Sequence, residues 1–237
     1  MIQTEGIFVG GSAISAPIIG EDFNWSGGDG TYQVLDDGGG NWRIKFLSSG
    51  TFTPLKNMLI DVFLVGGGGG AGSSYCGEGG AGYTTTVRSI VLTANTAYSI
   101  VVGAAGTNGN PSSAGGETTA FTASAAGGKN TSNGTSSSKR PGGAGGSGGA
   151  GYVSPVATTT GGTDGGDGTS GATTGGKGQG TTTREFGEAD GTLYASGGGS
   201  NLSATVANSG NGGRNKLTSI APADGIVVIR QHKEVAA

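Results

Sequence analysis

The sequence predicts an all-β fold in which short strands form a small sandwich-like framework around a bundle of extended glycine-rich tracts, with no α-helix. Three observations support this prediction. Glycine supplies 55 of the 237 residues, against a usual share of roughly 7%. Several tracts carry glycine at every third position, and the apolar residues lie in short β-branched runs without helical spacing. Because 33% of residues are apolar and only 12% are charged, a packed fold is favoured over disorder.

The composition changes near residue 40. Residues 1–40 contain an apolar run and then a Gly/Asp-rich stretch, and we interpret them as an attachment or docking segment. Residues 41–237 are predicted to form the glycine-rich domain, in which the strands and the tracts combine.

The strand signals begin at residue 41. Alternating apolar and basic residues over 41–46 predict a strand with one apolar face, and Ser49 with Gly50 indicates a turn. The β-branched run 59–65 predicts a buried strand that leads directly into the first glycine tract. Similar runs predict six more strands, at 83–92, 97–102, 118–124, 181–185, 192–195 and 225–230.

Three tracts carry glycine with a period of three. These residues are Gly66, Gly69 and Gly72; Gly142, Gly145, Gly148 and Gly151; and Gly162, Gly165, Gly168 and Gly171. A period of three fits the polyproline II conformation, with three residues per turn and a rise of about 3.1 Å. Edges without side chains let such rods approach until their N–H and C=O groups pair, so these glycines are predicted to pack a bundle. Residues 142–151 are expected to form one rod of roughly 30 Å.

The motifs that would carry enzymatic chemistry are weak. The Gly-x-Gly-x-x-Gly spacing that begins at Gly67 precedes no predicted helix, so it does not indicate a dinucleotide site. Glu185 and Glu188 are interpreted as part of a bend and turn rather than as a glycosidase pair. Cys76 has no plausible histidine partner. We therefore predict no enzymatic activity, no cofactor and no metal site.

Charge and hydropathy exclude two further classes of partner. The net charge of −3 gives no basis for binding nucleic acid. No stretch approaches the roughly 20 apolar residues of a membrane span, so no membrane insertion is expected. The first residues lack the basic region of a signal peptide, which predicts synthesis in a cytoplasm without Sec export.

The segments that interrupt the glycine pattern are predicted to emerge as loops at the ends of the rods. Their tyrosine, hydroxyl, amide and cationic groups suit polar ligands such as glycans. For any single loop, a solvated connector is the alternative. The candidate binding residues are Tyr75, Lys129, Asn130, Asn133, Lys139, Arg140 and Tyr152.

Four segments carry a family resemblance: IDVFLVGGGGGAG (60–72), AYSIVVGAAG (97–106), GKGQGTTTREFGEADGTLYASGGG (176–199) and DGIVVIR (224–230). They are similar to the glycine-rich domain of bacteriophage and prophage tail-fibre and tail-tip proteins, over roughly residues 41–231, and the third is the most specific. Residues 1–40 lie outside the resemblance.

The resemblance implies a receptor-binding adhesin whose candidate loop residues contact a host receptor. Such a protein is made in the host cytoplasm, belongs to the virion tail and acts outside the cell. Its implied partners are other tail or baseplate proteins and a host cell-surface glycan or protein, and its implied assembly is a homotrimer.

Two other classes stay open at the level of sequence. A purely structural virion or surface protein would share the fold without binding a receptor. An ice-binding protein would need a flat, regularly spaced face, whereas the non-glycine positions here mix Thr, Asp, Lys and Asn irregularly.

Overall fold

A computed structural model describes residues 8–9, 12–13, 22–38, 40–73, 76–131, 142–151, 183–199, 204–215 and 219–231. Within these ranges the fold is all-β, as the sequence predicts, and the only helical element is a short 3-10 turn at Glu185–Gly187. The strands are β1 (Phe8–Val9), β2 (Ser12–Ala13), β3 (Phe23–Trp25), β4 (Tyr32–Gly38), β5 (Asn41–Phe46), β6 (Gly50–Pro54), β7 (Met58–Val65), β8 (Thr84–Leu92), β9 (Tyr98–Val101), β10 (Thr118–Ala120), β11 (Ala123–Ala125) and β12 (Ile226–Gln231).

Ten of these strands form two antiparallel five-stranded sheets, and β1 pairs with β2 alone. Sheet I has the order β11-β10-β9-β6-β3, and sheet II has the order β4-β5-β12-β7-β8. One hydrophobic core draws on both sheets, as in a sandwich. Its aromatic contacts include the edge-to-face pair of Phe46 in β5 and Phe52 in β6, whose ring centroids are 5.7 Å apart.

The strands with the strongest sequence patterns are found where they were predicted. β5 alternates between buried and half-buried residues, and β7 is buried except at Leu59. The predicted strand at 118–124 is instead the hairpin β10–β11, in which Phe121 adopts a left-handed φ of 56°. Within 183–195, the prediction of two strands is wrong, because the chain there forms only the isolated pair of Arg184 and Leu193 around a turn.

The N-terminal part of the chain takes part in both sheets. β3 pairs with β6, and β4 pairs with β5. The predicted division at residue 40 therefore separates two strands of one hairpin, and residues 22–38 belong to the sandwich. The docking role of residues 1–40 stays a prediction.

The central tract, defined as residues 66–72, continues β7 beyond the sandwich and hydrogen-bonds with a repeat of three. Every third N–H group donates to the same neighbouring segment. The pairs, donor first, are Gly66 to Tyr83 (3.0 Å), Gly69 to Gly80 (2.8 Å), Gly67 to Gly116 (3.0 Å) and Gly70 to Ser113 (2.9 Å). The acceptor number falls by three as the donor number rises by three, so both neighbours run antiparallel to the central tract.

The second tract, residues 77–83, returns towards β8 and shows the same repeat on three sides. Its N–H groups reach three different neighbours in turn. The pairs, donor first, are Glu78 to Ala150 (2.8 Å) and Ala81 to Ser147 (3.0 Å); Gly79 to Gly213 (2.9 Å) and Gly82 to Gly210 (2.8 Å); Gly80 to Lys129 (3.0 Å) and Tyr83 to Ala126 (2.9 Å). A repeat of three is what an extended helix with three residues per turn produces, whereas a strand repeats every two residues.

The carbonyl groups of the central tract accept from further tracts. These pairs, donor first, are Gly128 to Gly67 (2.8 Å), Thr131 to Gly70 (3.1 Å), Gly106 to Gly68 (2.8 Å) and Gly109 to Ala71 (2.9 Å). Together with the bonds from Gly68 to Ala223 and from Gly213 to Gly69, they surround the central tract with six described segments. The segments are 77–83, 103–109, 113–116, 126–131, 209–213 and 220–225.

Glycine is required on every side of the central tract. A Cβ atom placed on any residue of 66–70 would lie 1.8–2.3 Å from a carbonyl oxygen of another tract. The obstructing neighbour also repeats every three residues, since residues 66 and 69 face 126–129 while residues 67 and 70 face 104–107. From the sequence, one edge of this tract was predicted to pack against a neighbour through its glycines. In the structure, all three edges do so.

Residues 142–151 fold back on themselves, so the prediction of a single 30 Å rod is wrong. The N–H group of Gly149 donates to the carbonyl oxygen of Gly143 at 2.9 Å. Both halves pack on the second tract, because Gly143 donates to the carbonyl oxygen of Glu78 and Glu78 donates to that of Ala150. Of the predicted packing glycines, Gly145, Gly148 and Gly151 are buried and Gly142 is half-buried. Gly162, Gly165, Gly168 and Gly171 lie outside the described residues.

Candidate functional site at the distal end of the tracts

The ends of four tracts meet around Gly72, on the side away from the sandwich. Gly72 pairs with Gly109 in a parallel bridge. Its N–H group donates to Thr131 Oγ1 at 3.0 Å, and its carbonyl oxygen accepts from Asn215 Nδ2 at 3.0 Å. We call the region defined by residues 72, 109, 131 and 215 the distal end. Because β7, β9 and β11 each lead into an outgoing tract, the connections that follow these tracts begin at the distal end.

Polar side chains replace missing backbone partners where the tracts stop. Thr131 Oγ1 also donates to the carbonyl oxygen of Gly77 at 2.6 Å. Asn108 Oδ1 accepts from the N–H group of Ala71 at 2.8 Å. The Asn108 amide nitrogen donates to the carbonyl oxygens of Arg214 and Ile220, at 3.1 and 2.8 Å. Buried backbone groups without partners are unfavourable, so Thr131 and Asn108 fix the distal end.

The thiol of Cys76 also lies at the distal end. It is buried and donates to the carbonyl oxygen of Gly72 at 2.8 Å. Burial raises the pKa of the Cys76 thiol, and the nearby Glu78 carboxylate raises it further. Because the thiolate is the reactive form, this environment makes Cys76 a poor nucleophile.

A separate cluster of charged groups lies on the outer face of sheet II, where residues 183–194 cover the strands. Glu185, which is 1% exposed, accepts from Arg43 Nη1 at 2.5 Å and lies 3.0 Å from Lys45 Nζ. The hydroxyl group of Tyr194 is 3.3 Å from the same carboxylate. Asp37 binds Arg43 from the other side at 2.8 Å.

The second half of this cluster is built on Asp61, in the middle of the buried strand β7. Asp61 Oδ2 accepts from Arg230 Nε at 3.1 Å and from Arg88 Nη1 at 3.2 Å. Arg230 also binds Glu188 at 2.5 Å and lies over the ring of Phe186, 4.3 Å from its centroid. Charged side chains from three strands of sheet II, β5, β8 and β12, therefore contact residues 183–194 directly, and Asp61 in β7 holds two of these side chains.

A family model described as a glycine-rich domain matches residues 47–230. The chain belongs to this glycine-rich domain family. The match covers β6 to β12, the tracts and residues 183–194, and it begins after β5. No curated protein matches the sequence.

The predicted binding residues of this glycine-rich domain have different surroundings. Lys129 is exposed near the distal end, and its backbone N–H group donates to Ala144 at 2.8 Å. Asn130 is half-buried, and its amide nitrogen donates to the carbonyl oxygen of Ser112 at 2.8 Å. The side chain of Asn130 therefore joins two tract ends. Tyr75, Asn133, Lys139, Arg140 and Tyr152 lie outside the described residues.

The described surface of the distal end is polar. Exposed residues there carry hydroxyl groups, an amide and one ammonium group; they are Ser73, Thr107, Asn110, Ser113, Lys129 and Ser219. Thr131, Asn108 and Asn215 were not predicted as functional residues. Their only sequence signal is a hydrogen-bonding side chain next to a glycine tract, which is shared with many loop residues.

The carboxylates of the charged cluster in the glycine-rich domain are held by cations. Glu185, Glu188 and Asp61 are each paired with an arginine. Burial raises the pKa of the Tyr194 phenol, against the opposing effect of Lys45. Burial lowers the pKa of Lys45, but Tyr194 and Glu185 outweigh it and leave that pKa above its ordinary value.

The described residues also bear on metal binding and on membrane crossing. Among them no group of three or more His, Cys, Asp or Glu side chains is placed to hold a metal ion. In the same part of the chain, no helix has the length and apolar character that a membrane crossing requires.

Proposed function

We propose that this glycine-rich domain is a non-enzymatic structural protein of a bacteriophage tail fibre or tail tip that acts as a receptor-binding adhesin. Its loops are presented at the distal end to a glycan or protein on the host cell surface. The other partners are tail or baseplate proteins, and the site of action is the virion tail outside the cell. The observation that carries the proposal is the meeting of four tract ends around Gly72.

The presenting scaffold in this proposal is a bundle of polyglycine II helices. The three-residue repeat of hydrogen-bond partners supports it, as does the three-residue repeat of close approaches along the central tract. Ordering a residue costs about 1–2 kcal/mol, and glycine loses the most conformational freedom. Nearly complete pairing of backbone groups offsets this loss, and the result is a stiff support for loops.

A stiff support favours binding because loops held in place lose less entropy when a receptor engages them. Thr131 and Asn108 fix the tract ends, while the hydroxyl, amide and ammonium groups around them stay exposed. Such groups hydrogen-bond to sugars and to polar protein surfaces. The distal end thus combines a fixed base with a polar surface.

A purely structural tail protein is the second candidate, and Asn130 is the observation that favours it. Its amide nitrogen already donates to the carbonyl oxygen and to the hydroxyl group of Ser112, at 2.8 and 3.1 Å. Asn130 was predicted to contact a receptor, but its side chain is already hydrogen-bonded within the domain. Lys129, which is exposed, distinguishes the two candidates.

The test is saturable binding of the labelled, purified chain to intact cells from a panel of bacterial strains. If the chain is an adhesin, at least one strain binds it, and Lys129→Ala weakens that binding about tenfold or more, as expected for the loss of a charged hydrogen bond of about 1.5–3 kcal/mol. Lys56→Ala is the matched control, because Lys56 precedes β7 at the end of the sandwich away from the tracts. Its ion pair with Asp22 is partly exposed and contributes little.

Absence of saturable binding across the panel favours the structural candidate. Saturable binding that is unchanged when residues 129–140 are replaced by Gly/Ser would instead exclude this segment from the receptor contact. That segment supplies five of the seven candidate residues: Lys129, Asn130, Asn133, Lys139 and Arg140.

A further inference from the structure

We propose that residues 183–194 form a detachable clasp, which docks on sheet II through charge and fixes where the following tract, residues 195–198, begins. When the clasp leaves the sheet, that tract loosens while the central tract keeps its hydrogen bonds. This conformational device does not depend on the proposed adhesin role.

Charged groups provide much of the contact between the clasp and the sheet. Sheet II contributes Arg43, Lys45, Asp61, Arg88 and Arg230, and the clasp contributes Glu185, Glu188 and the carbonyl oxygen of Phe186. The contacts are Arg43 to Glu185 (2.5 Å), Lys45 to Glu185 (3.0 Å), Arg230 to Glu188 (2.5 Å) and Arg88 to the Phe186 carbonyl oxygen (2.6 Å). Asp61 stabilises the clasp indirectly by holding Arg88 and Arg230 in place.

A buried apolar cluster adds to this contact, in which Phe186 and Tyr194 of the clasp pack with residues of sheet II that include Phe63, Val65, Ile226 and Val228. The Phe186 ring is buried against Phe63, with centroids 6.2 Å apart, and the Tyr194 ring lies 5.5 Å from Phe63. Removing the charge of Glu185 would leave Arg43 and Lys45 facing a neutral partner in a half-buried site, which is unfavourable. The docked position thus depends strongly on the carboxylates of the clasp.

The backbone is strained within the clasp and directly after it. Phe186 has a φ of 55° and Ala195 has a φ of 58°, a left-handed conformation that non-glycine residues rarely adopt. Docking offsets this strain, because it buries the Phe186 ring and lets the Ala195 N–H group donate to Ser209 at 2.9 Å. An undocked clasp can relax at both positions, so the two states lie closer in free energy than the contacts alone suggest.

The clasp can leave as a unit because it has hydrogen bonds of its own. The Glu185 N–H group donates to Thr192 at 2.9 Å, and the Tyr194 N–H group donates to Thr183 at 3.0 Å. Arg184 Nη1 donates to the carbonyl oxygen of Gly191 at 3.0 Å. None of these bonds involves the sheet.

Residues 195–198 would respond first, since they follow the clasp directly. Their backbone bonds go to the second tract and to its neighbours; for example, Gly198 donates to Gly79 and accepts from Ala150, both at 2.9 Å. The central tract has its own six partners, so its bonds survive the loss of this outer one.

Amide hydrogen exchange measured by NMR on the full chain tests the proposal. In Glu185→Gln, which keeps the side-chain shape but removes its charge, exchange at Tyr194, Ala195 and Gly198 accelerates at least tenfold. Exchange over 66–70 changes less than twofold. The matched control is Glu117→Gln at an exposed position outside the clasp, and it leaves all of these rates within twofold of the unmodified chain.

Unchanged rates at residues 194–198, or an equal acceleration in the central tract and β7, would overturn the proposal, since the clasp would then not be a separate unit. If Glu185→Gln does not fold, Glu188→Gln serves instead, because it removes only the pair with Arg230 at a position whose side chain is 43% exposed. The same local pattern with a smaller factor of about threefold is expected, and a uniform or absent effect again contradicts the clasp.

Discussion

Replacing Gly68 by alanine is the sharpest perturbation of the tract packing. A Cβ atom there would lie 1.8 Å from the carbonyl oxygen of Asn211 and 2.5 Å from its carbonyl carbon, whereas ordinary contact begins at 3.4 Å. The obstacle is backbone of another tract, which cannot rotate away as a side chain can. The central tract and residues 209–213 must therefore separate by about 1.6 Å, the difference between 3.4 and 1.8 Å.

This separation breaks bonds on other sides of the same residue. The Gly68 N–H group donates to Ala223 and its carbonyl oxygen accepts from Gly106, both at 2.8 Å. Each buried group left unpaired costs about 1–3 kcal/mol, and overpacking adds about 1–3 kcal/mol. Alanine restricts the unfolded chain and returns about 0.4–1 kcal/mol. We take the lower limit for two unpaired groups and for overpacking, and subtract the gain from alanine. Gly68→Ala is then expected to lower the free energy of unfolding by about 2 kcal/mol.

Urea unfolding followed by the fluorescence of Trp25 and Trp42 measures this loss. Gly116→Ala is the control, since its Cβ atom would lie 3.0 Å from the nearest atom outside its chain neighbours, Ala104 N. A small adjustment accommodates it, so we expect a change within about 1 kcal/mol. If Gly68→Ala loses less than about 1 kcal/mol, or no more than Gly116→Ala, the described packing of the central tract is refuted.

Two further predictions concern buried polar groups. Thr131→Val removes the partner of the Gly72 N–H group and of the Gly77 carbonyl oxygen. We expect it to lower the free energy of unfolding by about 1–3 kcal/mol in the same assay. No loss would show that Thr131 does not fix the distal end. Burial raises the pKa of Cys76 and of Tyr194 above their ordinary values of 9.0 and 10.0, so the folded state retains protons that the unfolded state loses. The free energy of unfolding is therefore steady at lower pH and falls as pH rises above 9, with a shallower fall in Tyr194→Phe; equal slopes would contradict this.

The parts of the fold that sequence predicts well are those with a strong local period. β5 shows the two-residue alternation that its half-buried position requires, and β7 is a β-branched run because sheet II is covered on both faces. The glycines of the central tract repeat every three residues, in agreement with the spacing of its hydrogen bonds. In β5 and in the central tract, the sequence pattern and the packing have the same period.

Other parts depend on distant partners and leave no local trace. Asp61 lies within an apolar run, and its partner Arg230 is 169 residues away. The reversal of the chain within residues 142–151 cannot be predicted from the sequence, because a straight rod and a folded one have the same glycine period of three. The left-handed Phe186 is favoured only when its ring is buried against sheet II.

The receptor-binding role of the candidate residues stays a prediction. Loops at tract ends follow from the inability of larger side chains to enter the bundle, and Lys129 is exposed as expected. The internal role of Asn130 depends on Ser112 from a different tract. A single sequence cannot indicate such a pairing, because amides at receptor contacts and at internal contacts look alike.

The central claim is that the glycine tracts pair their amides with a repeat of three. NMR couplings transmitted through hydrogen bonds test it most directly, since each reports the donor nitrogen and the acceptor carbonyl carbon together. Couplings from Glu78 to Ala150 and from Ala81 to Ser147, with those from Gly79 to Gly213 and from Gly82 to Gly210, are the predicted result. Couplings that alternate every two residues with one neighbour, or amides of 78–82 without detectable partners, would contradict it.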